Sequence, residues 1–111
     1  MVSNYCVVFM LNNYSSDDYK KIKSLDYHYL ILDKHSDSSH KTISGYVELK
    51  DGISCSIIEN INSLILYKKL QGNKDFLRIN KKNIVDSFKS KGCYEEYRSR
   101  RLDLSIFDYY K

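Results

Sequence analysis

The sequence predicts an α+β domain in the element order β-α-β-β-α-β, a split β-α-β arrangement that forms an antiparallel sheet with helices on one face. Three observations carry this reading. Short β-branched and aromatic runs alternate with amphipathic segments of helical period, glycine and asparagine clusters punctuate them, and 111 residues allow a single domain, 1–111.

Residues 4–11, NYCVVFML, read as a buried first strand that Asn12 and Asn13 stop. Ser15-x-x-Asp18 is a capping-box start, and Tyr19, Ile22 and Leu25 fall on one face of the helix it opens. Residues 27–33, YHYLILD, predict the second strand, and KHSDSSHK after it a polar loop without periodicity. The third strand is expected through TISGYVELK, with Ile43, Val47 and Leu49 inside and Gly45 marking a bulge or a close backbone approach. Beyond Asp51-Gly52, the spacing of Ile53, Ile57, Ile58 and Ile61 predicts a second helix. Residues 64–69, LILYKK, predict a fourth strand, and Gln71-Gly72-Asn73 a turn. From Phe76 to Lys91 a further stripe of Leu77, Ile84, Val85 and Phe88 predicts a helix that Gly92 ends. The tail YEEYRSRRLDLSIFDYYK fits either a final helix or an edge segment, with 99–111 the least defined part. The core order is that of ferredoxin-like sheets, whose face opposite the helices needs a cover or a purpose.

Lys+Arg 18 against Asp+Glu 14 gives a net charge of +4, and 42% hydrophobic with 29% charged residues excludes a disordered chain or a coiled coil. No apolar run approaches the roughly 20 residues of a membrane span. The start MVSNYCVVFMLNN has neither a charged leader nor a small-residue cleavage site. The expectation is an intracellular protein of cytoplasm or nucleus without a membrane partner. Cys6, Cys55 and Cys93 are odd in number and widely spaced, which fits neither a disulfide framework nor a paired-cysteine zinc site. Pro, Trp and Ala are absent while Lys, Asn, Ile, Ser and Tyr abound, the mark of AT-rich coding. The 11 tyrosines are for that reason a weaker sign of a stacking surface.

Positive charge gathers late in the chain, at Lys81, Lys82, Lys89, Lys91, Arg98, Arg100 and Arg101, with Lys68 and Lys69 before them. Such side chains neutralise phosphates and predict a nucleic-acid-binding set. Glu95, Glu96, Asp103 and Asp108 offset part of that charge. The strand tyrosines Tyr5, Tyr27, Tyr29 and Tyr46 are open to two roles, stacking on bases or packing in the sheet.

VVFMLNN resembles the first motif, roughly F-T-L-N-N, of the replication-initiator (Rep) endonuclease domain of circular single-stranded DNA viruses. YLILD is similar to that family's second strand, SGYVELK to the strand written H-L-Q-G-Y-V, LYKKLQGNKD to the stretch before its last helix, and KNIVDSFKSKGCYEEY to the segment carrying its catalytic tyrosine and the G-x-x-x-E-Y-like exit. The resemblance spans residues 4–98. It implies a Rep or HUH endonuclease-like fold of viral or mobile-element origin. It also implies metal-dependent nicking. Two ligands on one strand face hold Mg or Mn, and a tyrosine attacks the phosphate to leave a 5′-phosphotyrosine, with a lysine three residues further on positioning it.

The departures shape the expectation. Aligned on Gly45-Tyr46-Val47, the ligand positions hold Thr42 and Ser44, whose hydroxyls bind a cation far less well than imidazole. His40 and Asp33 are the remaining metal candidates, with His35 and Asp37 near them in sequence. The nucleophile position holds Asp86 if Lys89 is matched and Phe88 if Lys91 is matched, and neither forms a phosphotyrosine. Tyr94 lies beyond Gly92, out of the helix register. The expectation is a Rep-like domain that binds single-stranded or hairpin DNA without nicking it, with no catalytic residue and no cofactor. The alternative is a protein-interaction module on a captured Rep fold, a homodimer or a binder of a host protein, with LSIFDYYK adding to a sheet edge. A third reading keeps residual nicking with Mg or Mn.

Overall fold

The computed structural model describes residues 5–36, 39–50 and 52–98. Its elements are β1 (Tyr5–Asn12), α1 (Ser16–Lys23), β2 (Tyr27–Ser36), β3 (Lys41–Leu49), a 3-10 helix (Cys55–Asn60), β4 (Leu66–Leu70), α2 (Lys74–Ser90) and β5 (Glu95–Arg98). The five strands make one sheet in the order β4-β1-β3-β2-β5, every neighbouring pair antiparallel. This is an α+β domain.

Local chemistry accounts for the elements. Ser15 caps α1 as the sequence predicts: its hydroxyl accepts from the Asp18 backbone, and the Asp18 carboxylate accepts from the Ser15 backbone. The same carboxylate accepts from Asn62 Nδ2 at 3.1 Å, which buttons α1 to the turn before β4. That turn delays β4, because Asn62 Oδ1 takes the Leu64 backbone N–H and keeps it out of a ladder. β2 runs past the predicted Asp33 to Ser36, since Lys34, His35 and Ser36 pair with Ile43, Thr42 and Lys41 of β3. The predicted second helix is a six-residue 3-10 turn, too short and too rich in β-branched isoleucine for an α-helix.

Alternate strand residues separate the core into two layers. Val7, Phe9, Leu11, Leu30, Leu32, Ile43, Val47 and Leu49 face α1 and the 3-10 helix, through Ile22, Ile58 and Ile61. Cys6, Tyr29, Ile31 and Tyr46 point the other way, against Ile84, Val85 and Phe88 of α2. The expectation of helices on one face holds for α1 and the 3-10 helix and fails for α2, which covers the opposite face. The tail resolves as far as β5, an edge strand on β2; residues 99–111 lie outside the described residues. Gly92, the residue after the Lys91 cap, takes φ 83° and turns the chain from α2 toward β5.

At Gly45 the Phe9 ring lies across the backbone. An added Cβ would sit 2.5 Å from Phe9 Cζ and 2.7 Å from the Ile31 carbonyl oxygen. Gly45→Ala is expected to lose about 1–3 kcal/mol through overpacking. Urea unfolding checks this, and an unchanged midpoint would refute it.

Candidate nucleic-acid interface

α2 carries two stripes. Leu77, Lys81, Ile84, Val85 and Phe88 lean toward the sheet, while Arg78, Lys82 and Lys89 follow at helical spacing along the flank that faces β5. Between that flank and the β5 edge lies a groove of about 390 Å³ over Tyr29 and Val85. Its walls hold Arg78, Lys81, Lys82, Lys89 and Arg98, five cations, against the carboxylates of Asp86 and Glu96.

Glu96 organises the groove. Its carboxylate accepts from the Tyr29 hydroxyl at 2.6 Å and lies 3.5 Å from Lys89 Nζ and 3.4 Å from the Arg98 guanidinium. The Tyr29 hydrogen bond first, then the two cations, hold the Glu96 carboxyl below its ordinary range against the opposing effect of burial. Tyr29 is pushed up by burial and by the same carboxylate, so it stays a neutral donor. Lys81 Nζ sits 4.5 Å from the centre of the Tyr29 ring and 3.0 Å from Glu48, and Arg98 flanks the ring at 5.3 Å. Lys82 pairs with Asp86 at 3.0 Å and Arg78 with Asp75 at 3.2 Å. Pairs this exposed contribute little to stability, so both cations are free to exchange a carboxylate for a phosphate.

β5 is held in place from its other face. Glu95 accepts from the hydroxyls of Tyr19 on α1 and Tyr97, and pairs with Lys34 at 2.9 Å.

The predicted binding set is divided by the fold. Lys81, Lys82, Lys89 and Arg98 share the groove. Lys68 and Lys69 are on β4 at the far edge of the sheet, opposite Val8 and Val7 and so on opposite faces. Lys91 stands beyond the end of α2, 5.2 Å over the Phe88 ring and 3.9 Å from Asp33. Arg100 and Arg101 lie outside the described residues. Arg78 joins the groove and was missed, although its four-residue step to Lys82 was there to read.

Of the two roles open to the strand tyrosines, Tyr27, Tyr29 and Tyr46 take packing. Tyr29 and Tyr46 are 5% and 1% exposed, and Tyr27 packs into the layer facing α1. The metal candidates are not brought together either. Asp33 is opposite Ser44, while His40 precedes β3 by one residue, about 13 Å away at strand spacing. Thr42 donates to Asn12 Oδ1 at 3.0 Å. Of the two nucleophile positions, Asp86 is exposed beside Lys82, and Phe88 faces the sheet. Among the described residues no three His, Cys, Asp or Glu side chains gather as a metal site, and no helix is long and apolar enough to cross a membrane.

Fold and groove together define an α+β sheet domain with a cation-lined channel between its covering helix and an edge strand. No family model matches the chain, and no curated protein matches its sequence.

Burial would raise the Glu95 carboxyl, but hydrogen bonds from Tyr19, Tyr97 and Lys34 outweigh it and bring it from 4.5 to about 2. A carboxylate lowered on folding stabilises above its unfolded pKa and stops doing so as pH falls through its folded one. The thermal midpoint is expected to decline as pH drops from 4.5 to about 2, less steeply in Glu95→Gln. Identical slopes in circular-dichroism melts would refute the anchoring role.

Proposed function

We propose that this protein is a Rep-like DNA-binding domain that holds single-stranded or hairpin DNA by its phosphates and does not nick it. The observation that carries this is the groove, where five cations converge between α2 and β5. Its one aromatic is buried beneath Lys81 and Arg98, so the contact is with backbone rather than bases. The Rep-like part is supported by the motif resemblance and by an antiparallel sheet whose β3 carries positions 42 and 44 on the face that α2 covers. The absence of nicking is supported by what stands there: Thr42 and Ser44 for metal ligands, and Phe88 without a hydroxyl at the sheet-facing helix position.

A second reading, self-association, is favoured by one observation. At the β4 edge Leu66 and Leu64 are 60% and 77% exposed, with Met10 beside Leu66 on β1, a row that a second copy would cover. Light scattering that returns a salt-resistant dimer indifferent to DNA would favour it.

Fluorescence anisotropy with labelled single-stranded, hairpin and duplex DNA tests the first reading. About four neutralised phosphates predict a slope near −3 in log K against log salt for a single strand. Lys82→Gln and Lys89→Gln should each weaken binding and flatten that slope by about 0.7, while Lys69→Gln at the far edge changes neither. No binding at low salt, or binding untouched by the groove variants, would overturn the proposal.

A further inference from the structure

A second pocket, of about 220 Å³, opens where the first two turns of α2 pass over the start of β1 and the end of β3. It is more enclosed than the groove, and it is continuous with it, because Arg78 and Lys81 line both. Its floor is Cys6 and Tyr46, both buried. At this size it falls below the roughly 300 Å³ at which pockets begin to enclose a drug-sized molecule, so it suits one small group.

Charge identifies that group. Lys74, Arg78 and Lys81 enter the pocket against a single lining carboxylate, Glu48, so two positive charges are in surplus once Arg78 gives up its exposed pair with Asp75. Glu48 is already engaged by the Tyr46 hydroxyl at 2.9 Å and by Lys81 at 3.0 Å. The partner of Arg78, Asp75, is outside the lining, and His28 adds a ring nitrogen at the rim. A phosphodiester carries one negative charge and leaves half of the surplus unmatched. A phosphate monoester carries about −1.5 to −2 at pH 7 and matches it.

We infer that this pocket receives the terminal phosphate monoester of a nucleic-acid strand lying in the adjoining groove. The inference rests on the nucleic-acid reading of that groove and adds to it a preference for phosphorylated ends. Lys74 and Arg78 bind the terminal oxygens, Lys81 bridges them to the next phosphate, and His28 donates from the rim. The chemistry is the same for a 5′ and a 3′ phosphate, so the test carries both.

Three single-stranded oligonucleotides of one sequence are compared by anisotropy at one salt concentration: 5′-phosphorylated, 3′-phosphorylated and hydroxyl-ended, each labelled at an end without phosphate. One phosphorylated form is expected to bind roughly tenfold tighter than the hydroxyl-ended strand, the scale of one or two added charge-assisted hydrogen bonds. Lys74→Gln and His28→Gln, both at exposed positions outside the groove, should abolish that difference while leaving hydroxyl-ended binding within about twofold. Equal affinity for all three forms would overturn the end pocket and leave the groove standing. A phosphate preference that survives both variants would place the end elsewhere and overturn it too. Binding of none of the three would remove the groove reading and the pocket together.

Discussion

The structure around the groove depends on two adjacent glutamates of a four-residue strand. Because strand neighbours point to opposite faces, Glu95 reaches the layer of α1, and Glu96 the layer of α2. Each meets tyrosine hydroxyls and cations: Tyr19, Tyr97 and Lys34 on one side, Tyr29, Lys89 and Arg98 on the other. A strand this short at a sheet edge has little ladder of its own, and charge-assisted hydrogen bonds on both faces supply what the ladder lacks. With β5 so fixed, the flank of α2 has an opposing wall, and a row of surface lysines becomes a channel.

The position of α2 follows from chirality. The connections β1 to β2, β3 to β4 and β4 to β5 each join parallel strands of one sheet, and such crossovers share one hand. The 3-10 helix travels toward the β4 edge and α2 travels back across the sheet between strands of the same direction, which at constant hand requires the other face. Four strand spacings separate β4 from β5, about 19 Å, and a helix of 17 residues spans about 25 Å. One helix therefore crosses the whole sheet and covers the face that a ferredoxin-like core leaves open.

What the sequence made legible was local. The β1 run, the Ser15–Asp18 cap, the apolar positions of β3 and the Gly92 stop each carry their signal within a few residues, and each is where it was expected. β5 was legible only as one of two alternatives, a final helix or an edge segment, because the contact that anchors it is distant: Tyr19, 76 residues earlier, meets Glu95. The same limit separates Lys82 and Lys89 from Lys68 and Lys69: charge is visible in one dimension, and strand order puts the last two at the opposite edge. Tyrosine roles were hidden for a related reason, since alternation places Tyr29 and Tyr46 on one face without saying that α2 lies over it.

Covering that face exchanges one mode of recognition for another. An open sheet offers aromatic rings to bases; beneath α2 those rings are core, and what remains exposed is the cationic flank of the helix. The cations already have carboxylate partners, Glu48, Glu96, Asp86 and Asp75. An incoming phosphate therefore replaces existing ion pairs instead of satisfying bare charges, so the free-energy gain per contact is small while counterion release persists. As proposed, the groove discriminates by the path of the backbone and by how a strand ends, with little reading of sequence along the way. In the proposed role, the work of selecting a DNA passes from the bases to the shape of the strand and the charge at its terminus.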